Sequence, residues 1–127
     1  MLIVKFGGTS VGKPERMKKI AELIRSMPEQ KIVVLSALSG TTNALVRMGD
    51  ALLAGDRARA EAEIVSLEAH YKSFVQELYM TPEYQAVGQE IVSRYFSLIR
   101  LLAAGAFDER SYRELLAQGE LASTEFF

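Results

Sequence analysis

The chain lacks cysteine altogether, and its 127 residues include a single histidine. Without cysteine, disulfide bonds and thiolate metal sites are excluded. No basic block is present, and the balance of 15 lysines and arginines against 16 aspartates and glutamates disfavours nucleic acid as a partner. No apolar run is long enough to span a membrane and the start lacks a secretory signal pattern, so we expect a cytoplasmic protein with no membrane partner. The one histidine, His70, is given no role as ligand or base.

The amino-terminal stretch carries the strongest local pattern. Residues 2–6 are bulky and apolar except for Lys5, and they run directly into Gly7, Gly8, Thr9 and Ser10. This pattern predicts a buried strand and then a tight loop, in which glycines can adopt positive φ and bring N–H groups close to an anion. The two hydroxyls add donors, so we predict a phosphate-binding loop. The plainer alternative is an edge-strand lysine that reaches water beside a Gly-Gly turn.

Two common nucleotide-binding motifs do not fit this stretch. Residues 7–13 read G-x-x-x-x-G-K, but Pro14 stands where a P-loop needs a hydroxyl for Mg²⁺. The dinucleotide pattern G-x-G-x-x-G fails because Thr9 occupies the place of its second glycine. Lys5 is more informative, because a cation in an apolar strand is costly to bury unless an anion lies beside it.

A strand, helix, strand order follows along the chain. Residues 14–27 have helical periodicity, and the apolar run 32–35 predicts a second strand. This order implies a parallel pair and an α/β fold. Ligands of such sheets bind at the carboxyl ends of the strands, so Gly7, Gly8 and Ser36 are expected at one rim, with the amino end of the first helix facing the same anion. The apolar positions of that helix are Met17, Ile20, Ile24 and Met27.

The middle of the chain is predicted to be helical. A small-residue loop, 36–43, leads into a helix for which Thr41 or Thr42 is the predicted N-cap. A helix over 57–78 and another that starts at Pro82 are expected to form an antiparallel hairpin. Their apolar stripes are interpreted as core packing. The stripe predicted for the second hairpin helix is Tyr84, Val87, Ile91, Tyr95, Leu98 and Leu102.

The last part of the chain is predicted to hold two short helices. Asp108 marks a break, after which Ser111 and Glu114 fit a capping box. Gly119 and Glu120 are predicted to begin a second helix. On this pattern alone, Glu120 is an acidic first-turn residue that complements the helix dipole.

Three stretches together resemble the aspartokinases, within the amino acid kinase family. They are K-F-G-G-T-S-V at 5–11, V-V-L-S-A at 33–37 with G-T-T-N at 40–43, and G-E-L-A-S-T at 119–124. Their order and rough spacing match from end to end of the chain. The resemblance implies transfer of the γ-phosphate of ATP to the side-chain carboxylate of L-aspartate. That nucleophile is already ionised at neutral pH and needs no general base.

The resemblance also implies roles for individual residues. Lys5 is expected to be catalytic, and Glu120 to face the amino group of aspartate. Mg²⁺ is expected to bridge the phosphates, with its ligands mainly outside this chain. The residues expected to bind phosphate or ATP are Lys5, Gly7, Gly8, Thr9 and Ser10. Those expected to bind the substrate are Ser36, Thr42 and Glu120.

The implied fold is a partial parallel-sheet α/β/α sandwich with a long helical hairpin. Residues 1–127 are expected to be the amino-terminal portion of a catalytic domain, with most of the nucleotide pocket and the ACT regulatory domains lying outside it. The fragment alone is expected to be inactive, and the whole protein to be a homo-oligomer. The alternative is a non-catalytic anion-binding, ligand-binding or oligomerisation domain that keeps the Gly-Gly loop and uses an exposed apolar face of the hairpin.

Overall fold

The computed structural model describes residues 1–127 and contains two strands and six helices. In chain order these elements are β1 (Leu2–Phe6), α1 (Gly8–Val11), α2 (Pro14–Ser26), β2 (Lys31–Leu35), α3 (Thr41–Leu53), α4 (Arg57–Leu78), α5 (Pro82–Ala104) and α6 (Glu109–Phe126). None of these helices is long and apolar enough to cross a membrane.

The two strands pair in parallel, as the strand, helix, strand order predicted. Phe6 lies opposite Leu35 in the register, and Lys5 lies opposite Val34. Side chains alternate between the faces of a strand, so the two faces of this sheet differ. On one face, Phe6 and Val33 pack against the helical core. The α/β class is therefore confirmed.

The prediction of a buried amino-terminal strand is wrong for this chain. The helices cover one face of the sheet only, and the other face carries Ile3, Lys5, Ile32 and Val34. Ile3 is 69% exposed and Ile32 is 50% exposed. A continuous apolar run predicted cover on both faces of the strand, but residues 1–127 form a helical layer on one face only. The sandwich is partial in that sense.

The hairpin of α4 and α5 forms as predicted. Thr81 caps α5, because its hydroxyl accepts a hydrogen bond from the Tyr84 backbone N–H. The predicted stripe of α4 is buried throughout, and its members are Ile64, Leu67, Tyr71, Phe74 and Leu78.

The stripe predicted for α5 is wrong in part. Tyr84 is 63% exposed and Val87 is 51% exposed. Gly88 explains the difference, since a Cβ there would lie 2.5 Å from the Tyr79 ring and 3.0 Å from Val75 Cβ. The helix thus approaches α4 through its glycine side and is rotated away from the predicted face. The residues it buries are Gly88, Ile91, Val92, Phe96 and Ile99.

The last helix also differs from the prediction. The chain forms one helix, α6, where two short helices were expected, and Glu120 lies within it and not in a first turn. Asp108 is the N-cap, with its carboxylate accepting from the backbone N–H of Ser111, so the capping box at Ser111 does not form. Gly119 does not end the helix; its missing side chain serves a close contact described below.

Candidate active site

The parallel pairing brings two loops to one rim of the sheet. Ser36 donates its backbone N–H to the Phe6 carbonyl at 3.0 Å, directly after the last register pair. Gly7 follows Phe6 and therefore begins beside Ser36. The predicted meeting of the two strand ends is confirmed.

The chain becomes helical at Gly8, directly after Gly7, and does not form the loop with positive φ that was predicted. Gly7 has φ −79° and precedes the one-turn helix α1, and neither Gly7 nor Gly8 adopts positive φ. The first N–H groups of a helix have no partner within it, so those of Gly8 and Thr9 remain available as donors. Arg16 anchors this turn by donating to the Thr9 carbonyl at 2.8 Å. The donors are thus presented by a helical turn.

Close backbone packing explains two glycines of this turn. A Cβ at Gly8 would lie 3.0 Å from the Ala37 carbonyl oxygen. A Cβ at Gly12 would lie 2.5 Å from Ser39 Cβ and 2.7 Å from the Gly8 carbonyl oxygen. Ordinary carbon contacts are about 3.5–4.0 Å, so Gly12 has no room for a side chain, and Gly8 could take one only if the Ala37 backbone moved. The segment after β1 is therefore locked against the segment after β2.

Helix α6 packs on the same segment. A Cβ at Gly119 would lie 2.8 Å from Ala37 Cβ and 2.9 Å from Thr41 Cγ2. Ser123, which is fully buried, donates its hydroxyl to the Ser36 carbonyl at 2.7 Å. The three stretches that resemble aspartokinases, separated by up to about a hundred residues in sequence, thus meet in space.

Thr41 and Thr42 differ from their predicted capping role. Gly40 is the N-cap of α3, with φ 83°, a left-handed conformation that glycine adopts without strain. Thr41 is the first residue of the helix and is buried, and its hydroxyl lies 2.8 Å from the Tyr71 hydroxyl. Thr42 is left exposed on the side of the cleft.

A cleft of about 220 Å³ lies where these segments meet. It brings together four of the predicted site residues, namely Gly8, Thr9, Ser36 and Thr42. Its lining carries hydroxyls, an amide and backbone groups but no charged side chain. The lining residues that were not in the predicted site are Ala37, Leu38, Ser39, Gly40 and Asn43. The small-residue composition of 36–43 was the signal that could have identified them.

The other predicted site residues lie outside this lining. Lys5 is exposed on the helix-free face of β1 and forms no ion pair within the chain. Gly7 and Ser10 are exposed beside the cleft, and Ser10 donates its backbone N–H back to Gly7. Glu120 is exposed and follows Gly119, which contacts Ala37 and Thr41.

The amino end of α2 does not face the cleft, contrary to prediction. Pro14 and Glu15 line a separate cleft of about 360 Å³ with residues of α4, including His70 and Glu77. The helical turn of α1 is the physical reason, because it separates the start of α2 from the strand end. The first turns of α1 and α3 line the candidate site, α1 through Gly8 and Thr9 and α3 through Thr42 and Asn43.

The ionisable group near the cleft with the largest change in pKa is the buried phenol of Tyr71. Burial raises the pKa of Tyr71 to about 12; the hydrogen bond with Thr41 lowers it, and the negative charge of Glu120 raises it further. Tyr71 is therefore a neutral hydrogen-bonding group, and Glu120 lies close enough to influence it. No group of three or more histidine, aspartate or glutamate side chains is arranged to hold a metal ion.

Comparisons with known proteins agree with this geometry. The model of the amino acid kinase family matches residues 1–122. Aspartokinase 1 of Arabidopsis thaliana, a chloroplastic protein, is 35% identical over 129 residues, which cover 98% of this chain and 22% of that protein. Lysine-sensitive aspartokinase 3 of Escherichia coli K12 is 32% identical over 130 residues, covering 100% of this chain and 27% of that protein.

A solved structure extends the comparison to the fold. The crystal structure of E. coli aspartokinase III in complex with aspartate and ADP superposes with a TM-score of 0.81 at 29% identity. The match covers 99% of this chain and 27% of that one, so the chain spans about a quarter of the length of these relatives. Since the family model covers nearly all of the sequence, the chain belongs to the amino acid kinase family.

Proposed function

We propose that residues 1–127 form the amino-terminal part of an aspartokinase catalytic domain. The whole enzyme would transfer the γ-phosphate of ATP to the side-chain carboxylate of L-aspartate, giving 4-phospho-L-aspartate for lysine, threonine and methionine biosynthesis. The observation that carries this proposal is the packing of Gly8 and Gly119 against Ala37, which lines one cleft with Ser36, in a chain that superposes on an aspartokinase solved with aspartate and ADP.

The chemistry asks for positioning and charge neutralisation. The aspartate carboxylate is ionised at neutral pH, so no proton has to be removed from the nucleophile. The first-turn N–H groups of α1 and the hydroxyls of Thr9 and Ser36 suit phosphoryl oxygens, and the Thr42 hydroxyl would help to orient aspartate. Such donors orient the transferred group and stabilise the charge that spreads over its oxygens.

Lys5 would supply the positive charge that the cleft lining lacks. It lies one residue before the end of β1 and makes no ion pair within the chain, so its ammonium is free to meet a phosphate. Lysine suits this role as a compact point charge with three donors. Glu120, on α6, would meet the ammonium group of aspartate.

The nucleotide and its metal place further demands on the enzyme. The bound ADP of the E. coli structure supports ATP as the phosphoryl donor. Mg²⁺ prefers carboxylate oxygens and phosphates, and residues 1–127 offer no carboxylate cluster for it. The metal ligands and most of the nucleotide pocket would therefore come mainly from residues outside this chain. The assembled enzyme is proposed to be a homo-oligomer.

An ATP-dependent aspartyl hydroxamate assay on the full-length enzyme tests the proposal. Lys5→Ala is expected to lower kcat about a hundredfold or more, the loss typical of a charge-stabilising donor. Glu120→Ala is expected mainly to raise the KM for aspartate. The matched controls are Lys19→Ala and Glu22→Ala, which remove the same charges from exposed positions on α2 that form no ion pair.

Near-normal turnover for Lys5→Ala would contradict the proposal, as would equal losses in the α2 controls. A second test uses the 127-residue chain by itself. An intact mass near 14.1 kDa without hydroxamate formation is expected. Turnover by a chain of that mass would show that the nucleotide site does not lie outside it.

A further inference from the structure

A buried hydroxyl pair adjoins the cleft, since one of its members, Thr41, lies between the lining residues Gly40 and Thr42. Tyr71, on α4, is 2% exposed and Thr41 is 1% exposed, and their hydroxyl oxygens are 2.8 Å apart. The Tyr71 ring is held edge-on by Phe96 and Phe126, with ring centroids 5.6 and 5.9 Å away. A ring fixed on both sides presents its hydroxyl at a defined point.

Thr41 connects that hydroxyl to two of the proposed substrate residues, Thr42 and Glu120. It precedes Thr42 at the start of α3, where its backbone N–H donates to the Leu38 carbonyl at 3.0 Å. Its methyl group contacts Gly119, the residue before Glu120. A shift or rotation of Thr41 would therefore move Thr42 and change how α6 packs at Gly119. Thr41 therefore links Thr42 to the helix that carries Glu120, and both of these residues are proposed to bind aspartate.

We propose that Tyr71 is a positioning residue for aspartate: its hydroxyl orients Thr41 and so sets the spacing of Thr42 and Glu120, without touching the substrate. The proposal rests on the proposed function, since it assumes that the cleft takes aspartate. Burial keeps the phenol protonated, and the raised pKa noted above also reflects the proximity of Glu120. The pair is therefore a neutral, permanent hydrogen bond and not a titrating switch.

The test is steady-state kinetics of the full-length enzyme carrying Tyr71→Phe, which removes the hydroxyl and keeps the ring. We expect the KM for aspartate to rise about two- to tenfold, the range that loss of one hydrogen bond produces. The kcat and the KM for ATP are expected to stay within about twofold of wild type, since neither Thr41 nor Tyr71 lines the cleft.

Tyr79→Phe is the matched control. The Tyr79 hydroxyl also makes a partly buried hydrogen bond, donating to the Phe126 carbonyl at 2.8 Å, but its partner is not Thr41. Both variants lose one hydrogen bond, so both should unfold at a somewhat lower temperature. Only Tyr71→Phe should raise the KM for aspartate. An equal rise in both variants would mean a general structural effect and would overturn the inference.

A double-variant cycle tests whether Tyr71 acts through Thr41. Thr41→Val removes the partner hydroxyl, and Tyr71→Phe in that background is expected to change the KM for aspartate no further. Multiplying effects would overturn the inference, as would an unchanged KM in Tyr71→Phe. Aspartate turnover by the wild-type enzyme distinguishes failure of this inference from failure of the proposed function. If the wild type does not turn over aspartate, both are overturned. If it does and Tyr71→Phe leaves the KM for aspartate unchanged, only this inference is overturned.

Discussion

Substituting Gly119 by alanine should have two opposing effects on stability, since alanine favours the helix but its methyl group is too close to neighbouring residues. In a helix interior alanine is favoured over glycine by about 1 kcal/mol. Here the new methyl group would lie 2.8 Å from Ala37 Cβ and 2.9 Å from Thr41 Cγ2, well inside ordinary contact distance. Neither neighbour is the end of a flexible side chain, so α6 itself must move. Overpacking of this kind costs about 1–3 kcal/mol, and we expect a net destabilisation of about 0–2 kcal/mol.

Urea unfolding of the chain measures this balance. Ala117→Gly, at an exposed position of the same helix, reports the helix preference alone and should cost about 1 kcal/mol. Ala37→Gly removes one of the two close contacts, and in that background the penalty of Gly119→Ala should shrink. If Gly119→Ala instead stabilises the chain by as much as Ala117→Gly destabilises it, the close packing of α6 on the cleft is refuted.

Three further predictions concern other parts of the chain. Gly40 and Gly55 have φ of 83° and 77°, so Gly40→Ala and Gly55→Ala should each destabilise the chain by about 1–2 kcal/mol in urea unfolding. Only Gly40 lines the cleft, so only Gly40→Ala should also raise the KM for aspartate in the full-length enzyme. Equal stability of variant and wild type would show that alanine is not strained at these positions. Asp108→Ala should lower Tm through loss of the cap of α6, whereas Asp108→Asn should retain it, and equal losses would exclude capping as the cause. Burial raises the pKa of Glu68, but hydrogen bonds from Arg100 and a nearby lysine outweigh that effect, so the pKa is lowered below 4.5. The ionised carboxylate therefore stabilises the fold above that pH, and its contribution is lost as the pH falls further. Glu68→Gln should flatten this part of the plot of unfolding free energy against pH, and an unchanged plot would contradict the assignment.

Local periodicity predicted most helices of the chain well. The run from Arg57 to Leu78 carries both its boundaries and its buried stripe in the sequence, because its apolar residues recur on one face only. Helix α5 is apolar on a wider arc, so periodicity alone could not decide which side packs. Gly88 decides it, through a contact with Tyr79 that is visible only in three dimensions. The same holds for Gly119, which local rules interpret as a helix boundary.

The candidate site was predicted in part, and for reasons of unequal value. The meeting of Gly8 and Ser36 follows from parallel pairing, which the order of elements implies. Lys5 is exposed, so its burial does not demand an anion beside it, contrary to the prediction. What supports its proposed role is its place at the carboxyl end of β1 and its lack of an ion-pair partner. Burial is a property of the whole sheet and cannot be obtained from one strand.

The cleft is assembled by backbone approach more than by side-chain packing. At Gly8, Gly12 and Gly119 a Cβ would meet a carbonyl oxygen, the Cβ of Ser39, or the Cβ of Ala37, all within about 3 Å. The glycine backbones therefore approach these neighbours so closely that no flexible side chain lies between them to absorb a displacement. The positions of the Thr42 hydroxyl and the α1 donors are consequently tied to the packing of α6. A change at one glycine should therefore alter stability and substrate affinity together, whereas a change at an exposed lining hydroxyl should alter affinity alone.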